Sequence, residues 1–236
     1  MKTALSVFKL HANKRTLTFL VPLNITALVA LISVLISLLF LRSGSVPGSH
    51  IWVDSSRQNP GILYSLAGFL IYMGVQSVAS TFPFALSLGA TRRAFVGGTL
   101  TWTIVTSAYL TVVFAILCSV EILTKHWFAG FYIFDVYVLG AGSLARLIPI
   151  VFLGSLTCLM IGAAFGASWI RFGARGPQLV AVGFAVVILV ALIIIIPGAN
   201  SIIAAFQLWW LAIAAVVLVL VASAGSALFL RSATVR

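Results

Sequence analysis

Ser87-Leu88-Gly89-Ala90-Thr91-Arg92-Arg93-Ala94-Phe95-Val96-Gly97-Gly98-Thr99 is a short basic connection between two long apolar runs, Gly61 to Leu86 and Ala94 to Val120. Adjacent arginines are costly in hydrocarbon, so this turn belongs at a membrane surface and the runs beside it cross the bilayer. Working outward, Thr16 to Leu41, Leu144 to Ile170, Gln178 to Ile196 and Ile202 to Leu230 are apolar runs of the same kind. The composition agrees: 62% of the 236 residues are hydrophobic and 7% charged, with a mean hydropathy of +1.23, outside the range of soluble globular domains. The expected fold is an all-α integral membrane protein whose single domain, residues 16–236, has spans near 16–41, 61–86, 94–120, 144–170, 178–196 and 202–230. No second domain or internal repeat is legible.

Residues 1–15 carry Lys2, Lys9, Lys14 and Arg15, while Met1, Leu5, Phe8 and Ala12 share one helical face. This pattern predicts an amphipathic helix on the cytoplasmic membrane surface. The run after it is too long for the core of a signal peptide and reads as a retained first span.

Charge sets the topology. With the N-terminus inside, ten of the fourteen basic residues fall on the inner side, Arg92, Arg93, Arg171, Arg175, Arg231 and Arg236 among them. The outer side receives Arg42, Arg57, Lys125 and Arg146 together with Asp54, Glu121 and Asp135, the only acids in the chain. The positive-inside rule then puts both termini in the cytoplasm. The net charge of +11 is accounted for by these flanks and does not call for nucleic acid.

The outer connections differ. Arg42 to Pro60 is rich in Ser and Gly and reads as a flexible extracellular loop. The stretch 127–137 holds Trp127, Phe128, Phe131, Tyr132, Phe134 and Tyr137, suited either to a membrane-interface belt or to a cap or gate on the bundle. Pro197 to Ser201 allows only a tight hairpin between the last two spans.

Within the spans, Gly154, Cys158, Gly162 and Gly166 form a small-residue stripe, fitting a subunit interface or packing inside one bundle. Tyr72, Gln76 and Ser80 share a face of the second span, and Thr99, Thr103, Thr106 or Ser107, and Thr111 form a seam on the third. Such groups either bond helices together or line a path. Pro83 and Pro149 are expected to bend their helices.

What is missing narrows the function. No ionisable residue lies mid-span, against a proton-coupled transporter. His11, His50 and His126 sit at flanks or in loops, leaving an intramembrane hydrolase without a base or metal ligands. Cys118 and Cys158 have no metal-binding spacing, and there is no phosphate-cradling Gly-rich loop. The chain is therefore not expected to be an enzyme, and any energy source is another subunit. In the inner turn, Gly89 can end the second span and Thr91 can cap a new helix, with Arg92 and Arg93 projecting into the cytoplasm.

The phrase Phe82-Pro83-Phe84-Ala85-Leu86-Ser87-Leu88-Gly89-Ala90-Thr91-Arg92-Arg93 resembles the connection after the second span in membrane subunits of ABC-2-type ABC transporters, small bacterial permeases of about six spans. The N-terminal surface helix and the Gly-rich fourth span running into Trp169 to Gly173 are similar to that family too. The resemblance implies that Leu88, Gly89, Ala90, Thr91, Arg92 and Arg93 form a coupling helix docking onto a cytosolic ATP-binding subunit. It further implies two permeases with two ATPases, no cofactor in this chain, ATP and Mg in the partner, and residence in a bacterial plasma membrane as an exporter. The short Pro197–Ser201 connection departs from members with re-entrant helices there. The competing expectations are a non-enzymatic membrane scaffold and a channel-like facilitator. The uncharged spans point to an amphiphilic or apolar cargo.

Overall fold

Apolar runs of this length leave their backbone polar groups no partner but each other, and each becomes a helix. A computed structural model describes residues 3–198 and 207–233. It contains α1 (Ala4–Ala12), α2 (Val21–Arg42), α3 (His50–Arg57), α4 (Gly61–Ala79), α5 (Thr81–Ser87), α6 (Arg92–Leu123), α7 (Leu144–Phe172), α8 (Arg175–Ile195) and α9 (Leu208–Arg231). Among the described residues six helices are long and apolar enough to cross a membrane, as a multi-pass membrane protein requires. Where described, their limits follow the apolar runs within a few residues; 202–206, the start of the sixth run, lie outside the described residues. Of the Pro197–Ser201 hairpin, Pro197 and Gly198 continue α8 as a 3-10 turn, and residues 199–201 lie outside the described residues.

Two prolines shape the first two spans. Pro22 donates no backbone hydrogen bond, and the turn before it, Thr16–Leu20, is a π-helical entry into α2. Pro83 cannot donate to Ala79, and the second span breaks at Ser80, so that α5 is a separate short helix after α4. Pro149 lies inside α7, which continues through it.

α7 is the central helix, with α4, α6, α9 and the start of α8 packed around it. Its close approach to α4 explains half of the glycine stripe. A Cβ on Gly162 would stand 2.1 Å from the Ile71 carbonyl oxygen, and one on Gly74 would stand 2.2 Å from that of Leu159. Gly166 extends the seam against Val75. Gly162 and Gly166 therefore serve packing within one bundle. Gly154 has open space around its Cβ position and Cys158 is half-buried.

The other helices follow from their faces. α9 buries Ala222, Ser226 and Leu230, one residue per turn, with Ala222 in a cluster with Leu156 and Met160 of α7. α2 lies against α4, and most of its large side chains remain exposed. α8 meets α7 where Gly176 passes the Ser168 carbonyl, and from Ala181 to Pro197 every residue is exposed.

Candidate functional site

Most of the described basic residues lie at one end of the bundle, here the basic end, and the three acids lie at the other, with Arg42, Arg57, Lys125 and Arg146. At the basic end the chain leaves α5 through Gly89, whose φ of +80° belongs to the left-handed region that glycine enters freely. Thr91 then caps α6, accepting from the Ala94 amide at 3.2 Å. Thr91 thus starts the long third span itself, and Arg92 and Arg93 form its first turn. Two cations at a helix N-terminus oppose the helix dipole. Arg92 resolves this by turning back to the C-terminus of α9, donating through Nη1 to the carbonyls of Leu230 at 2.7 Å and Arg231 at 2.6 Å.

The structure therefore divides the docking stretch read from sequence. Ala90 is buried with Phe82, Ala85, Phe95, Ala167 and Leu230 in a cluster under the elbow. Arg92 is committed to α9. Leu88, Gly89, Thr91 and Arg93 are exposed, and sequence reasoning missed that Phe84 and Ser87 join them. Phe84 is 52% exposed and Leu88 45%, so the outer side of the elbow is apolar, and the exposed Arg93 follows it in the first turn of α6.

The elbow is tied to its surroundings through α1. Lys14 Nζ donates to Thr81 Oγ1 at 3.3 Å. α1 crosses α6 at Gly98, where a Cβ would come within 2.5 Å of the Ala4 carbonyl and 2.6 Å of Val7 Cβ. The crossing buries Val7 and His11, so α1 packs against the bundle through side chains of both polarities. His11 shares a 3.1 Å hydrogen bond with Thr99 and stacks on Trp102 at 5.1 Å. Burial, reinforced by the nearby Lys14 charge, pushes the His11 pKa down to about 4.

The hydroxyl seam is resolved into two parts. Thr99, Thr103, Thr106, Ser107 and Thr111 are all buried on α6. Thr103 bonds the Leu100 carbonyl and touches Met160 sulfur at 3.6 Å, and Thr111 returns to the Ser107 carbonyl. Thr106 and Ser107 hydroxyls have no hydrogen-bond partner. Tyr72 on α4 and Ser80 at the break after it are exposed, whereas this row is buried. Gln76 lines a small cavity of about 10 Å³ that it shares with His11, Lys14, Thr18 and Trp102. Thr18 Oγ1 and Trp102 Nε1 lack partners there, and the cavity has the size and polarity of a single-water site.

The acid-bearing end is more ordered than its composition suggests. Glu121, in the last turn of α6, is fully buried and receives four N–H donors. Oε1 accepts from the amides of Ile133 (3.0 Å) and Asp135 (3.1 Å), and Oε2 from the Phe134 amide (2.8 Å) and Trp127 Nε1 (3.1 Å). This cradle folds the connection back over the bundle, where Ile133, Phe134, Val136 and Leu139 enter the core and Phe134 meets Phe114 edge-on. Asp135 accepts from Arg57 of α3 at 2.6 Å and from His126 at 3.0 Å. Trp52 Nε1 donates to the Gly130 carbonyl, and the Tyr137 hydroxyl to Asp54. The Ser-rich loop thus contains a helix pinned to the aromatic segment, and residues 127–137 form a cap. Only Phe128 and Tyr137 of its six aromatics are largely exposed.

Lys125, His126, Trp127 and Phe128 all have φ between 52° and 61°. Such left-handed residues cost about 1–2 kcal/mol each, and this turn is held by the bonds from Trp127 to Glu121 and from His126 to Asp135.

No family model, curated protein or solved structure matches the chain. Among the described residues no group of three or more His, Cys, Asp or Glu is placed to hold a metal ion.

Proposed function

We propose that this chain is the membrane subunit of an ATP-driven transporter of the ABC-2 type, acting as an exporter in a bacterial plasma membrane with both termini in the cytoplasm. The observation that carries the reading is the elbow from Thr81 to Arg93. A short helix separated from its span at Ser80 is braced from beneath by Phe82, Ala85 and Ala90 and turns Phe84, Leu88 and Arg93 outward. An exposed apolar surface followed by an exposed cation suits a groove on a soluble partner better than it suits a plain turn, for which arginines alone suffice. The gathering of Lys14, Arg15, Arg92, Arg93, Arg171 and Arg231 at the same end supports a cytoplasmic position. ATP and Mg belong to the partner, and two copies of each subunit make the transporter.

The test is copurification from native membranes. The unaltered chain is expected to bring down an ATP-binding subunit, and Leu88→Asp with Arg93→Glu to lose it while retaining membrane insertion. Recovery of the chain without any nucleotide-binding protein, or equal recovery with the double variant, overturns the proposal.

A further inference from the structure

The acid-bearing end holds a second feature that the elbow does not explain. Between the outer third of α2 and the loop carrying α3 lies a cavity of about 620 Å³, within the range of about 300–1,000 Å³ typical of small-molecule sites. Its polar wall is built from neutral groups: Ser37, Ser45, Ser55, Ser56 and Asn59 all face it. Among the described lining residues none is charged. Of the charges nearby, Arg57 is paired with Asp135 and Asp54 with Tyr137, and the exposed Arg42 at the end of α2 is not among the residues lining the cavity. The other wall is apolar: Ile36 and Phe40, 44% and 57% exposed, continue onto the outer surface of α2.

A wall of hydroxyls both donates and accepts hydrogen bonds, and offers a phosphate or carboxylate no compensating cation. The wall's opposite side offers an acyl chain a path along a helix that is already apolar. The floor is rigid, since Ser49 caps α3 and Trp52 is anchored to Gly130. A second cavity of about 620 Å³ on another face of α2 is lined chiefly by Leu23, Ala27, Leu31 and Leu117 and lacks the serine wall.

We infer that the serine-lined cavity is a binding site for a neutral, hydroxyl-rich amphiphile of the glycolipid class, its head against Ser45, Ser55 and Ser56 and its chain along Ile36 and Phe40. The assignment of this site does not rest on the proposed ATPase docking. The probe is a monoglucosyl diacylglycerol with a photoreactive group in one acyl chain, mixed into phosphatidylcholine vesicles holding the full chain. Saturable labelling is expected in the peptides covering residues 33–56. Unlabelled monoglucosyl diacylglycerol is expected to compete about tenfold better than phosphatidylglycerol, or about 1.4 kcal/mol. Ser56→Trp, which fills the polar wall, is expected to abolish saturable labelling, and Ala27→Trp in the apolar cavity to leave it intact. Should Ser56→Trp lower the thermal midpoint of the protein, Ser45→Ala with Ser55→Ala removes hydroxyls without adding volume and is expected to erase the headgroup preference. Non-saturable labelling spread equally over α8, or equal competition by phosphatidylglycerol, overturns the inference. So does retention of the preference in the double alanine variant.

Discussion

Replacing Glu121 by Gln keeps the shape of the side chain and exchanges one acceptor oxygen for an NH2 group. Four donors converge on the carboxylate, two on each oxygen. Whichever way the amide turns, two buried N–H groups lose their acceptor and face another donor. At about 1–3 kcal/mol for each buried donor left unsatisfied, the substitution costs about 2–6 kcal/mol. The loss falls on the cap first, because the amides of Ile133, Phe134 and Asp135 all donate to this carboxylate and the strained turn at Lys125 to Phe128 is released with them. Hydrogen exchange of the detergent-solubilised protein reads this directly, since local opening exposes those three amides. The lower figure of about 2 kcal/mol corresponds to roughly thirtyfold faster exchange in peptides covering residues 131–136, with the central turns of α7 unchanged. Exchange in that segment within a factor of about three of the parent protein would refute the claim that the carboxylate holds the cap.

Gly162→Ala places a methyl 2.1 Å from the Ile71 carbonyl and is expected to cost about 1–3 kcal/mol. Gly154→Ala, with nothing within 4 Å, is expected to be neutral or mildly stabilising. Equal thermal midpoints for the two variants would remove the α4–α7 crossing as the source of the stripe. For His11, the folded pKa of about 4 lies below the usual value of about 6.5, so the unfolded chain binds the extra proton first. Its contribution is therefore complete above about pH 6.5, falls as the pH drops toward 4 and is on the order of 3 kcal/mol in total. A spin label on Leu5→Cys, with Cys118 and Cys158 replaced by Ala, should gain mobility across that window, and the gain should vanish in His11→Asn. Finally, Arg92→Gln is expected to fray the C-terminal turn of α9 in hydrogen exchange, and Arg93→Gln to leave it intact while weakening ATPase recovery. Identical behaviour of the two arginines would contradict the division between them.

The spans were legible because a bilayer forces each apolar run into one helix, and the break at Ser80 could be read from Pro83. Arg92 and Arg93 are indistinguishable in sequence, and their roles separate only because α9 ends beside one of them. Half of the glycine seam was legible in Gly162 and Gly166. Its counterpart Gly74 was not, since α4 has no glycine period and one close approach needs only one small residue. The Glu121 cradle was hidden for a different reason: three of its four donors are backbone amides, which carry no residue identity. The signal available was distributional. In a chain with only three acids, all three fall in the loops or helix ends of one side, and uncompensated acids at the edge of an apolar bundle need donors. The serine wall was visible as composition but read as flexibility, because pairing of Trp52 with Gly130 and of Arg57 with Asp135 joins residues 78 positions apart.

The two ends of the bundle are stiffened by separate devices, and this limits how a push on the elbow can travel. On the proposed reading, an ATPase bound at Phe84, Leu88 and Arg93 moves α5. Through Lys14–Thr81 and the Arg92 cap that motion engages α1 and α9, and through the buried cluster under Ala85 it engages α6 and α7. The Gly74–Gly162 crossing leaves α4 and α7 too close to slide independently, so the basic end responds as a block. At the far end the cap is bonded to α3 and to the last turn of α6. Relative motion is then cheapest at α2 and α8, which bury least of their length in the bundle. The serine-lined cavity lies along α2, so its width is the dimension that such a displacement changes, and occupancy of that cavity should in turn bias the position of the elbow by linkage.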